Sequence, residues 1–106
     1  MVDMKAIQDL ADRIAQQFDP EKIILFGSYA TGACGPDSDV DLLVVAAHDG
    51  KGWELAAEIR TRLRPTFPVD LMVRSPEELA SRLRAGDVFL QEIDAHGLVL
   101  YEAQHA

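Results

Sequence analysis

The chain is predicted to fold as α/β (α+β), with a mixed sheet of about four strands and flanking helices. Three observations lead there. Short, nearly uniform apolar runs such as Ile23-Ile24-Leu25-Phe26 have the length of buried strands. Longer stretches between them carry apolar residues at helical spacing. Proline, glycine and capping residues mark where one type gives way to the other, and strands alternating with helices imply a layered domain.

The elements follow in order. Asp3 is placed to cap a helix over about 4–18, in which Ile7, Leu10, Ala11, Ile14, Ala15 and Phe18 fall on one face. Asp19-Pro20 ends it, because the residue before a proline avoids helical geometry. A strand over 22–26 follows. Gly27-Ser28 then turns the chain into a short helical turn, and Gly32 to Asp37 reads as a loop. Asp39 to Val45 is the second strand, apolar on both faces after Asp41, as in a covered sheet. A helix over about 52–64 is expected to bury Trp53, Ala56, Ala57, Ile59 and Leu63 and to stop at Pro65. Val69 to Arg74 is the third strand. Ser75 caps the next helix, with Pro76 at its first position and Glu78 completing a capping box. Gly86 closes that helix, Asp87 opens another that Gly97 closes, and Leu98 to Tyr101 is the last strand.

Length and composition fit one domain spanning 1–106. A chain of this size buries roughly two-thirds of its unfolded surface and folds without disulfides or a structural metal. The single cysteine, Cys34, excludes an internal disulfide and fits a reducing compartment. The start of the chain lacks the basic-then-apolar pattern of a signal peptide. No apolar run approaches the ~20 residues that cross a bilayer. The expected location is cytoplasmic, with no membrane partner. The net charge of −8 repels polyanions, which argues against stand-alone nucleic-acid binding. It favours a metal-escorted nucleotide or a partner protein with a basic face.

The chemistry concentrates in Gly27-Ser28 and, after ten intervening residues, Asp39-Val40-Asp41. Side chains alternate along a strand, so Asp39 and Asp41 point the same way. Asp70 stands second in the third strand; if that strand neighbours the second, three carboxylates converge. Two such charges about 4 Å apart repel by roughly 4 kcal/mol at an effective dielectric near 20. Either a shared proton or a divalent cation must offset this. Oxygen ligands without histidine or cysteine select magnesium or manganese. A glycine after a strand lets backbone approach a ligand, and the N–H groups that follow suit an anion. Together these parts suit phosphoryl or nucleotidyl transfer.

Gly27-Ser28, the spaced pair Asp39 and Asp41, and Asp70 downstream make the chain resemble the minimal nucleotidyltransferases of the DNA polymerase β superfamily, over nearly its whole length. The resemblance implies a polymerase-β-like nucleotidyltransferase fold. It implies that Asp39, Asp41 and Asp70 are the catalytic carboxylates and hold magnesium, two ions in all, with Asp70 helping to deprotonate the acceptor. Gly27 and Ser28 would bind the triphosphate of ATP, the substrate. Small members of this family are commonly antitoxins of toxin–antitoxin pairs whose toxins are HEPN-family RNases. The implied activity is therefore transfer of AMP from ATP to a protein hydroxyl, a tyrosine of the toxin, as a type VII-like antitoxin. The alternative is a catalytically weak or inactive antitoxin that neutralises its toxin by direct binding. One departure stands out. Where the family often has Gly-Ser-basic-Ala-basic-Gly, this chain has uncharged Tyr29 and Thr31.

Among the remaining residues, His48, His96 and His105 lack metal-ligand spacing and read as surface residues, and Trp53 reads as core. Arg60, Arg62, Arg64, Arg82 and Arg84 read as solvated faces.

Overall fold

A computed structural model describes residues 1–104. Its elements run α1 (Met4–Phe18), β1 (Lys22–Phe26), α2 (Ser28–Thr31), β2 (Val40–Val45), α3 (Gly52–Leu63), β3 (Val69–Arg74), α4 (Pro76–Arg84), α5 (Val88–His96) and β4 (Leu98–Glu102). The four strands form one sheet in the order β3-β2-β1-β4. β1 pairs antiparallel with β2 and β4, whereas β2 and β3 are parallel. A parallel pair needs a crossover, and α3 supplies it.

The sheet is apolar on both faces because both are covered. On one, α1 contributes Ile7, Leu10, Ala11 and Ile14, and α3 contributes Ala56, Ile59 and Leu63; they pack on Ile23, Leu25, Leu42, Val44 and Val73. On the other, Leu90 and Ile93 of α5 pack on Ile24, Leu43 and Val45. Capping follows the side chains expected to supply it. Asp3 accepts from the Lys5 N–H, Ser75 from Glu78 and Asp87 from Leu90. The predicted capping box at Ser75 is represented by that one bond.

Several expectations are corrected. Strand β2 starts at Val40, so Asp39 precedes it, and β4 runs one residue further, to Glu102. Trp53 is 71% exposed and Ala57 is exposed as well. The buried stripe of α3 is Ala56, Ile59 and Leu63, and on the half-buried Gly52 a Cβ would run into the Val73 carbonyl. One residue along a helix turns the side chain by about 100°, which sends Trp53 and Ala57 outward. His48 is only partly exposed, and its ring nitrogens are buried without a hydrogen-bond partner. His105 lies outside the described residues. Among those residues, no helix is long and apolar enough to cross a membrane.

Candidate functional site

The ladder between β2 and β3 sets the site. Its register pairs Val40 with Val69, Asp41 with Asp70 and Leu42 with Leu71. Paired residues in neighbouring strands put their side chains on the same face, so Asp41 and Asp70 stand side by side. Asp39, just outside β2, is near enough for its charge to act on Asp41, and it borders a surface pocket with Val2, Tyr29 and Pro68. The face is the one that α5 covers further along, at Leu43 and Val45. At the Asp41 end the cover stops. Asp41 is half-buried, while Asp39 and Asp70 are exposed.

Electrostatics register this crowding. The Asp41 carboxyl is held above its ordinary range, first by burial and then by the negative charges of Asp70 and Asp39. Among the described residues none of the three is in an ion pair with lysine, arginine or histidine. Nor do any three acidic, histidine or cysteine side chains close around a metal-sized point. The donor set is hard oxygen throughout, bears uncompensated charge and borders solvent. It fits magnesium or manganese, with Asp39, Asp41 and Asp70 as the groups that would hold the ion.

Gly27 connects this cluster to the turn. Its backbone lies at φ +76° and ψ −153°, a region that essentially only glycine adopts. A methyl group placed on it would land on the Asp41 carboxylate. The absence of a side chain therefore allows both the turn and the close approach of Asp41. Phe26, opposite Asp41 in the β1–β2 register, leads into the turn. Ser28 opens α2, whose carbonyls at Gly27 and Ser28 accept from Ala30, Thr31 and Ala33. The first N–H groups of a helix have no partner within it and are offered outward. Tyr29 is buried, and its hydroxyl accepts from the Val2 N–H, which gives it a structural position.

Beside the turn lies a cleft of about 220 Å³ between α2 and α5. Phe26, Ala30, Phe89 and Ile93 give it apolar walls; Thr31 and the pair Glu92 and His96 give it a polar rim. Phe26 and Phe89 meet edge to face at 5.8 Å between centroids. The sequence reading missed this cleft. Glu92 and His96 lie 66 and 69 residues from Phe26 and Gly27, and only the antiparallel pairing of β4 on β1 returns α5 to the turn.

Comparisons with known proteins bear on the family and the fold. Residues 7–93 match the profile of the nucleotidyltransferase domain family. Among solved structures, the chain is similar to one from a toxin–antitoxin crystallised with AMP-PNP. Identity is 29% and the TM-score 0.60, with 92% of this chain and 74% of that one covered. It is also similar to a mutant of the toxin–antitoxin MntA-HpeT, at 26% identity and a TM-score of 0.57, over 92% of this chain and 74% of the other. A nucleotidyltransferase-like protein from Sulfolobus solfataricus shares the fold at 23% identity and a TM-score of 0.59, over 74% of this chain and 71% of that one. No curated protein matches the sequence significantly.

Proposed function

Because the chain belongs to the nucleotidyltransferase domain family, we propose that it transfers AMP from ATP to a hydroxyl group, a tyrosine, of a HEPN-type RNase toxin and so acts as the antitoxin of a toxin–antitoxin pair. The observation that carries this reading is the side-by-side register of Asp41 and Asp70 next to Gly27. The likeness to a toxin–antitoxin crystallised with AMP-PNP supports both the nucleotide and the kind of partner.

The acceptor oxygen attacks the α-phosphorus of ATP. The bond from that phosphorus to the α–β bridging oxygen breaks, and pyrophosphate leaves. Asp70, exposed on the edge strand β3, takes the hydroxyl proton. Gly27 and the N–H groups at the start of α2 hold the polyphosphate, and the Ser28 hydroxyl adds a donor. Asp39, Asp41 and Asp70 would hold magnesium, two ions in this reading, which would supply charge neutralisation and a more acidic acceptor hydroxyl.

The test is transfer of label from α-³²P-ATP to a co-purified partner. The Asp39→Asn/Asp41→Asn variant is expected to lose it; unchanged labelling by that variant refutes the mechanism. A second reading, neutralisation by binding alone, draws on one observation: Tyr29 and Thr31 bring no positive charge to the turn. It predicts that the same variant still protects cells from the toxin.

A further inference from the structure

A bound nucleoside triphosphate brings about four negative charges to a chain whose own net charge is −8. Divalent cations at Asp41 would offset part of this, but in the nucleotidyltransferase reading the outer phosphates would extend along the turn. There the side chains are Ser28, Tyr29, Ala30 and Thr31, none of them cationic. Across the cleft stands His96, in the last turn of α5. Among the described residues lining the cleft, it alone carries a side chain able to bear positive charge. It does not hang free. Its Nδ1 lies 3.3 Å from Oε1 of Glu92, one helical turn earlier on the same face. That contact assigns the Nδ1 hydrogen to Glu92 and leaves Nε2 as the nitrogen free for a ligand. Only in the imidazolium form does Nε2 donate, and in that form the ring is a charged donor whose orientation Glu92 fixes.

We propose that His96 binds the polyphosphate of the nucleotide from the side of the cleft opposite Gly27 and Ser28, with Glu92 as its positioning residue. The assignment rests on the nucleotidyltransferase reading and adds to it a ring that can donate with positive charge, which the side chains of α2 cannot. The ligand class is a polyphosphate, and the contact is made to phosphate oxygen. The nucleobase plays no part in it. Both side chains are exposed, so replacing them leaves the core untouched.

Titration calorimetry of the full chain with magnesium present tests the assignment, using ATP, inorganic tripolyphosphate and AMP as probes. A hydrogen bond to a charged group leads us to expect His96→Ala to weaken ATP and tripolyphosphate about tenfold and AMP hardly at all. His96→Arg should restore both. Glu92→Gln should give a smaller loss confined to the same two probes. Wild-type affinity of His96→Ala for ATP and tripolyphosphate, with the wild type binding normally, overturns the role of His96 and spares the nucleotidyltransferase reading. An equal loss for AMP overturns it too, because a contact to the outer phosphates, which AMP lacks, would not act there. Failure of the wild type to bind magnesium-ATP at all overturns both.

Discussion

At the scale of single residues, Asp41 and Gly27 hold opposite ends of one compromise. Asp41 sits in a place that disfavours its charge, through burial and then through Asp70 and Asp39. Its folded pKa is raised above the ordinary 3.8, so the native state binds more protons than the unfolded one just above that value. Stability therefore falls as pH rises through the window from 3.8 to the raised value and stays lower above it. Asp41→Asn removes the charge. It should raise the melting temperature at pH 7 by a few degrees, a gain of about 1 kcal/mol for a protein of this size. The difference from the wild type should shrink below about pH 4, near the ordinary value of 3.8. Adding magnesium should raise the wild-type melting temperature, because an ion that binds only the folded state stabilises it. The Asn variant should respond little. Gly27→Ala is expected to act the other way, forcing a side chain into backbone at φ +76° and onto the Asp41 carboxylate. The backbone alone costs ~1–3 kcal/mol. Thermal melting together with magnesium-ATP titration should show both lower stability and lost binding; a variant that melts and binds like the wild type would remove Gly27 from the site.

Among the elements, α5 ties core to cleft. Leu90 and Ile93 bury it against the sheet, while Phe89, Glu92 and His96 look into the cleft. Its start depends on Asp87, whose Oδ1 accepts from the Leu90 N–H, with Arg82 3.9 Å from the other oxygen. Asp87→Ala should cost about 1 kcal/mol in chemical denaturation, the usual loss for a helix N-cap. A stability equal to the wild type would show that the cap contributes nothing. This helix was legible in outline, because Asp87 and Gly97 bracket it in sequence; α1 and β1 were legible for the same local reasons. The spacing of Asp39 and Asp41 was readable in the sequence, but strand alternation does not orient Asp39, because β2 starts at Val40. That Asp70 stands beside Asp41 was not readable, since adjacency depends on the order β3-β2-β1-β4, which no local pattern encodes. Trp53 misled because large aromatic residues favour burial, while the inward position at the start of α3 belongs to Gly52, the one residue small enough to meet the Val73 carbonyl. The cleft was invisible for a topological reason: its two walls are distant in sequence and meet only through β4.

For the molecule as a whole, charge governs whom it meets. Eighteen acidic residues against ten basic ones leave a net −8 on 106 residues. Such a field slows polyanions and speeds a basic partner, and its reach is set by salt, about 8 Å at physiological ionic strength and about 3 Å at 1 M. If the partner presents a basic face, the charge acts mainly on the encounter, because long-range attraction steers approach while short-range packing sets the residence time. The association rate of the purified pair, followed by stopped-flow fluorescence, should then fall at least tenfold between about 0.02 M and 0.5 M salt, with the dissociation rate changing far less. The Asp39→Asn/Asp41→Asn variant removes only two of the eighteen acidic charges. It should keep nearly the same salt slope even though transfer is lost, which separates recognition from chemistry. An association rate indifferent to salt would mean that the acidic surface plays no part in finding the partner, and that packing of uncharged surface carries recognition instead.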